Sequence, residues 1–222
     1  TFAKQHAKVA FIDIDNVAAQ NLLKDLPEAQ LWYRQVDVTD SSALQQSIID
    51  ACDALGSVNI LVNNVANDRR QSSHEVSEKD WEQSLKVNLN PAFFASQVAM
   101  SFMQKAGDGS IINLSSINAI MGQPNMAGYV TAKAGLIGMT KALACDYGEF
   151  GIRVNAILPG WVATERQLAS WFTKEEQEKW MQLMALKKLV TPDDVANLAM
   201  FLAADESSML TGQAIKIDGG RV

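Results

Sequence analysis

Short β-branched runs alternate with amphipathic stretches along the whole chain, and this alternation is its strongest signal. Residues 9–14 read as a strand, followed by a helix over 17–26 that stops at Pro27. Residues 31–38 give a second strand. Ser41 and Ser42 can cap a helix whose apolar positions Leu44, Ile48, Cys52 and Leu55 repeat at helical spacing, with Gly56 at its end. Residues 58–62 are a continuous apolar run, as expected of a strand covered on both faces. A long helix is predicted over 77–105, opening with Ser77 and Asp80 in a capping-box arrangement. A strand over 111–114, a helix over 128–147 and a strand over 152–158 follow. Thr191-Pro192-Asp193-Asp194 opens another helix, with a cap, a first-turn proline and two acids that the helix dipole favours. Residues 215–217 close as a strand.

Strands that alternate with helices pair in parallel and carry helices on both faces, so the expected class is α/β, a doubly wound, Rossmann-like parallel sheet. There is no internal repeat, low-complexity tract or linker, and residues 1–222 are expected to be a single domain. Thr1-Phe2-Ala3-Lys4 looks like the tail of a helix feeding the strand at Val9. In a dinucleotide-binding fold the strand before that helix is central, and the Gly-rich turn after it holds the pyrophosphate. The expectation is therefore roughly 20 residues upstream, enough for that strand, its turn and half a helix.

Hydrophobic residues make up 48% and charged residues 20%, which suits a soluble domain with a substantial core. The net charge is −6, and no basic cluster exceeds Arg69-Arg70 or Lys187-Lys188, so a nucleic-acid partner is not expected. No stretch approaches the ~20 apolar residues of a membrane span. Cys52 and Cys145 are far apart in helical patterns and read as thiols in a reducing compartment, so the expected location is cytoplasmic. His6 and His74 are the only histidines, too few for a multi-histidine metal site, and neither sits in a hydrolase-like elbow, so no metal is expected.

Tyr129 and Lys133 lie four apart on a predicted helix and share one face, while Ser116 follows the strand over 111–114. A phenol of pKa near 10 is only about 0.1% ionised at pH 7. A lysine ammonium at ~4 Å, at an effective dielectric near 20, supplies about 4 kcal/mol toward the phenolate before desolvation is charged against it. The serine hydroxyl would then orient a substrate oxygen and stabilise charge developing there.

Other motifs give this trio its meaning. Asn63-Asn64-Val65-Ala66 follows the apolar run, Val87-Asn88-Leu89 sits inside the long helix, and Pro159-Gly160 precedes Val162 and Thr164. With Asp37-Val38, Thr211-Gly212-Gln213 and Asp218-Gly219-Gly220, the chain resembles the short-chain dehydrogenase/reductase family over essentially its whole length. The resemblance implies a catalytic group of Asn88, Ser116, Tyr129 and Lys133. It also implies that Lys133 bonds the nicotinamide ribose and that Asn88 holds a water relaying protons to bulk. Cofactor contacts would come from Asp37 and Val38 at the adenine, and from Asn64, Val65, Ala66, Tyr129, Lys133, Pro159, Gly160, Val162 and Thr164 elsewhere. Val65-Ala66 departs from the family's smaller Ala-Gly and leaves less room for backbone near the cofactor.

Asp13 falls at the end of the strand over 9–14, where a carboxylate accepts from the adenosine ribose and repels a 2′-phosphate. NAD is therefore expected in preference to NADP, although an acid there can also serve as a helix cap, a role open to Asp15 two residues on. Asn67-Asp68-Arg69-Arg70, and Thr164-Glu165-Arg166-Gln167 with Trp171 and Phe172, are similar to the aldose-oxidising branch of the family, galactose dehydrogenases among them. A sugar pocket needs directed polar groups beside an aromatic face. Ser116, Asn118, Gln123, Asn125, Trp161 and Arg166 are candidates for it. The competing reading makes Trp161, Trp171, Trp180 and Met181 a greasy lid over a lipid-like or steroid-like substrate. Tyr129 would take the proton of the reacting hydroxyl, and an aldose would leave as its lactone. An NADPH-dependent 3-oxoacyl or other carbonyl reductase is the rival within the family, and a nucleotide-sensing scaffold the rival outside catalysis. The helices over 91–103 and 135–144 are apolar on more than one face, and a homotetramer or homodimer would cover them.

The intact mass of the protein as its own cell makes it should exceed 24.2 kDa by about an upstream strand, turn and half-helix; a mass equal to 24.2 kDa removes that segment from the account.

Overall fold

The structure is a computed structural model that describes residues 1–170 and 172–222. Among the described residues, six parallel strands form two hydrogen-bonded ladders. In the first, β1 (Val9–Asp13) pairs with β2 (Leu31–Gln35). In the second, β3 (Ile60–Asn63), β4 (Gly109–Leu114), β5 (Ile152–Pro159) and β6 (Ala214–Ile217) lie in that order. Helices connect every consecutive pair, as parallel pairing requires. They are α1 (Asn16–Asp25) and α2 (Ser41–Leu55), then α3 (Glu78–Asn88) and α4 (Asn90–Ala106). A short α5 (Asn118–Met121) and a long α6 (Ala127–Tyr147) precede β5. Finally α7 (Glu165–Ser170), α8 (Lys174–Gln182) and α9 (Pro192–Ala203) lead to β6.

β4 is buried along its whole length, and its successive side chains show which helices cover each face. Ile111 packs with Ala99 and Met103 of α4 and Leu143 of α6. Its neighbours Ile112 and Leu114 pack with Ala199 and Leu202 of α9 on the other face. Each such side chain contributes roughly 1.5–3 kcal/mol by leaving water. A polar string runs through the same layer. Asn63 Nδ2 donates to Asn113 Oδ1 at 2.8 Å, and Asn113 Nδ2 donates to Thr140 Oγ1 at 2.9 Å, tying β3, β4 and α6 together.

Several sequence expectations need correction. The run over 58–62 is not covered on both faces: Ile60 and Val62, which share one face of β3, are 38% and 36% exposed. Strand β2 ends at Gln35 rather than 38. The cap of α2 is Asp40, which accepts from the Ala43 N–H at 3.0 Å, and not Ser41 or Ser42. The helix expected over 77–105 breaks at Leu89 (φ −126°, ψ −56°). Pro91 has no N–H to offer the Val87 carbonyl, so the ladder cannot continue through it. The first residues form a 3₁₀ turn, Phe2–Gln5, and Phe2 packs on the α9 cluster. The capping boxes at Ser77–Asp80 and Thr191–Asp194 and the left-handed Gly56 end of α2 stand as expected. Among the described residues no helix is long and apolar enough to cross a membrane.

Replacing Asn113 by Ala should leave the half-buried Asn63 amide with only its longer contacts to Ala92 O and Ser96 Oγ, and should take a donor from the buried Thr140 hydroxyl. The expected loss is about 1–3 kcal/mol in urea unfolding; an unchanged midpoint would show that the string carries no stability.

Candidate active site

The C-terminal ends of β3, β4 and β5 open onto one cavity of about 510 Å³. Crevices at that end of a parallel sheet are where such folds take ligands. Chain geometry delivers the functional groups there. β4 ends at Leu114 and hands on Ser115 and Ser116, and β5 ends at Pro159 and hands on Gly160. The Ile117 N–H bonds Pro159 O at 3.0 Å and the Gly160 N–H bonds Ile217 O at 2.9 Å, so both turns are pinned to the sheet.

α6 projects Tyr129 and Lys133 into the same space, one turn apart, with Lys133 Nζ 5.7 Å from the centre of the phenol ring. The Lys133 ammonium is only 2% exposed and donates to Leu114 O at 2.6 Å. Burial alone lowers its pKa to about 8. The Ser115 hydroxyl donates to Lys133 O at 2.7 Å and fixes the helix against the end of β4. Ser116 Oγ accepts from the Asn118 N–H at 3.1 Å, which orients the hydroxyl. Burial pushes the Tyr129 phenol above its ordinary range, the Ser116 hydroxyl draws it down, and the Asp68 carboxylate raises it further. The sequence reading expected the Lys133 ammonium to favour the phenolate; in the structure one of its donors is taken by Leu114 O, and burial, Ser116 and Asp68 act on the phenol.

Asn88 is buried off the cavity wall, where Oδ1 accepts from the Asn67 N–H at 2.7 Å. Its Nδ2 donates to Asn67 O at 3.1 Å and to Ser84 O at 2.9 Å. The side chain therefore anchors the loop after β3, with both amide hydrogens engaged. Asn64, Ala66, Pro159, Gly160, Val162 and Thr164 line the cavity beside Tyr129 and Lys133. Asp13, Asp37, Val38 and Val65 do not line it. Asp13 is exposed at the C-terminal end of β1 and accepts from the Asp15 N–H at 2.9 Å. Asp37 accepts from the Thr39 N–H at 2.9 Å, which holds its pKa below the ordinary range. Val38 packs with Leu44, Ile48 and Ala95, so its side chain belongs to the core and offers a cofactor only its backbone.

Among the substrate candidates, Ser116, Asn118, Gln123, Trp161 and Arg166 line the cavity. Asn125 does not: it takes a left-handed turn (φ 61°) and its carbonyl accepts from the Gln71 N–H. Trp161 is no open stacking platform. Phe172 stacks on it at 4.0 Å, Trp180 meets it edge-on at 5.5 Å, and the Arg70 guanidinium lies over the ring at 5.8 Å. Met181 is not on the wall, and Trp171 lies outside the described residues. The sequence reading missed the organising group of this wall, Asp68. Its two oxygens accept from Arg166 Nη2 and from Gln167 Nε2, each at 2.7 Å, and Gln167 Oε1 accepts from the Trp161 indole N–H at 2.9 Å.

A family described as enoyl-(acyl carrier protein) reductase matches residues 1–221. The chain belongs to the short-chain dehydrogenase/reductase family. Members of this family use a nicotinamide dinucleotide, and the chain is an oxidoreductase of that kind. It is 42% identical to a probable galactose dehydrogenase of Rhizobium meliloti over 99% of this chain and 87% of the relative. It is 36% identical to a D-xylose 1-dehydrogenase of Caulobacter vibrioides over 99% and 87%. A 3-oxoacyl-[acyl-carrier-protein] reductase of Thermotoga maritima is 35% identical over 100% and 90%. Among solved structures, a candidate short-chain alcohol dehydrogenase of Sinorhizobium meliloti superposes with a TM-score of 0.91 at 31% identity, covering 99% of this chain and 88% of that one.

The buried lysine makes a stability prediction for this short-chain dehydrogenase. Below pH 8 folded and unfolded chains both hold the Lys133 proton, and the cost of burying the ammonium is complete. Between pH 8 and 10.5 the unfolded chain holds more protons, so stability rises with pH across that window. Against a Lys133→Met reference, the wild type should gain about 2 kcal/mol on going from pH 7 to pH 10. A pH-independent difference between the two unfolding curves would contradict the lowered pKa.

Proposed function

We propose that this chain oxidises an aldose at C1 to its lactone with NAD, using Tyr129 as general base. One observation carries the reading: beside its apolar side chains, the wall of the cavity that holds Tyr129 and Ser116 includes a linked polar cluster, Asp68, Arg166 and Gln167. A lipid-like substrate would leave the remaining acceptors of the Asp68 carboxylate facing hydrocarbon, at about 1–3 kcal/mol for each one unpaired. A polyol satisfies them. The likeness to a probable galactose dehydrogenase and a D-xylose 1-dehydrogenase supports the same substrate class.

The residues present fit a nicotinamide cofactor. Lys133 spends one of three ammonium donors on Leu114 O and has two left, in a buried position, for ribose hydroxyls. Asn64, Ala66, Pro159, Gly160, Val162 and Thr164 would hold the nicotinamide end, and Asp13 and Asp37 the adenosine end. The bound ring supplies the acceptor for the hydride leaving the substrate carbon. Tyr129 takes the proton of the reacting hydroxyl, and Ser116 holds that oxygen and stabilises the charge on it as the proton leaves. Asn88 acts at one remove, by fixing the loop that carries Asn67 and Asp68. The exposed Asp13 carboxylate favours NAD, since a 2′-phosphate would meet a like charge.

A second reading, reduction of a 3-oxoacyl carbonyl with NADPH, is supported by the Thermotoga relative and opposed by Asp13. Phe93 and Phe94 of α4 meet edge to face, with Phe93 exposed, on a surface that a dimer or tetramer would cover. A cytoplasmic location suits the exposed thiol of Cys145.

Purified protein incubated with aldoses, secondary alcohols and 3-hydroxyacyl compounds, with NAD and NADP in parallel, should form NADH with an aldose. NADPH formation from hydroxyacyl compounds alone would replace this reading with the second. Tyr129→Phe should abolish turnover while cofactor binding, followed by fluorescence quenching, stays within about twofold; comparable turnover would remove Tyr129 from the chemistry.

A further inference from the structure

Resting on the sugar-oxidising reading, we propose that the Asp68 carboxylate is the group that recognises the substrate's ring hydroxyls, and that Arg166 and Gln167 hold it in place to do so. The carboxylate is four-fifths buried and belongs to the wall that also carries Tyr129. Two oxygens give a carboxylate about four acceptor sites. Arg166 takes one on Oδ1 and Gln167 one on Oδ2, which leaves an acceptor on each oxygen. Paired free acceptors on one rigid carboxylate suit a hydroxyl pair on adjacent carbons, the same chemistry by which an acid grips a ribose.

Placement relative to the reacting centre supports this assignment. Asp68 is close enough to Tyr129 for its negative charge to raise the phenol's pKa. A substrate whose reacting hydroxyl meets Tyr129 and Ser116 would thus bring its neighbouring ring positions to Asp68. The wall itself is stiff. Gln167 bonds Asp68 with its amide nitrogen and the Trp161 indole with its amide oxygen, and Phe172 backs that indole. Neither oxygen of Asp68 can swing away without breaking a charge-assisted or amide bond. Charged groups lining the cavity are Asp68, Arg70, Lys133 and Arg166, so Asp68 is its only anion among the described residues.

The test pairs Asp68→Asn with a set of monodeoxy analogues of whichever aldose the wild type oxidises. Losing a charge-assisted acceptor should lower kcat/KM on the full sugar about ten- to hundredfold, mainly through KM. On the deoxy analogue that lacks the hydroxyl read by Asp68, the substitution should cost less than about threefold, because the partner is already gone. The alkaline rise of kcat/KM should also move to lower pH in Asp68→Asn, since an anion beside the phenol has been removed. Arg166→Leu is the second variant. It keeps the carboxylate and uncovers its charge, so the same limb should move to higher pH while the deoxy pattern is retained. Equal losses on every analogue, or limbs that shift together in both variants, would overturn the assignment and leave Asp68 a merely structural latch. No aldose turnover by the wild type overturns the sugar reading and this inference with it; aldose turnover with a flat deoxy pattern overturns this inference alone.

Discussion

The site depends on one buried cation. Lys133 is driven into the interior by a helix whose other residues are largely apolar, and the carbonyl that ends β4 receives its ammonium. That contact joins the longest helix to the most buried strand at the point where the strand becomes a loop. Burying an ammonium is unfavourable by itself, as its lowered pKa records. Such a group persists where the remaining hydrogen-bonding capacity has a use, and here the ammonium keeps two further donors at the wall of the cavity. Tyr129, one turn earlier, inherits its position from the same anchoring, as does Ser115, whose hydroxyl closes the loop back onto the Lys133 carbonyl.

Around this anchor the loops are held by backbone and amide bonds rather than by apolar packing. Asn88 fixes Asn67, Asn63 and Asn113 fix the ends of two neighbouring strands, and Ile217 receives the Gly160 amide. These are short polar side chains in places where aliphatic residues would pack equally well. Their value is directional: an amide fixes a loop to within a hydrogen-bond length, which a methyl contact does not. The helix break at Leu89 belongs to the same arrangement, since it lets Asn88 terminate α3 facing the loop it anchors.

Much of this was legible in the sequence because it is local. Strand and helix alternation follows from period, the capping boxes at Ser77 and Thr191 from spacing, and Tyr129 with Lys133 from one helical turn. Other features depend on neighbours that periodicity cannot name. The run over 58–62 looks fully buried by composition, but one face of β3, with Ile60 and Val62, is left partly exposed. Pro91 was visible, yet the apolar pattern continues on both sides of it and hid the break. Val38 matched a family motif through its position, while its side chain is committed to the core. The wall around Asp68 was least accessible, because Asp68 and its partners Arg166 and Gln167 are separated by 98 and 99 positions. Trp161 suggested a stacking face by identity alone; the rings that cover it come from segments with no shared local signal.

That separation bears on how such a pocket diversifies. The polar wall around Asp68 is split between the loop after β3 and the segment that opens α7, and neither half is satisfied alone. Exchanging the first loop without the second would leave Arg166 and Gln167 facing no acceptor, and the reverse exchange would strand a mostly buried carboxylate. Each group left without its partner in a partly dry wall costs about 1–3 kcal/mol. Changes of preference at this wall would therefore have to travel as coordinated replacements at two distant places in the chain, with single-site intermediates penalised in folding before any new ligand could reward them.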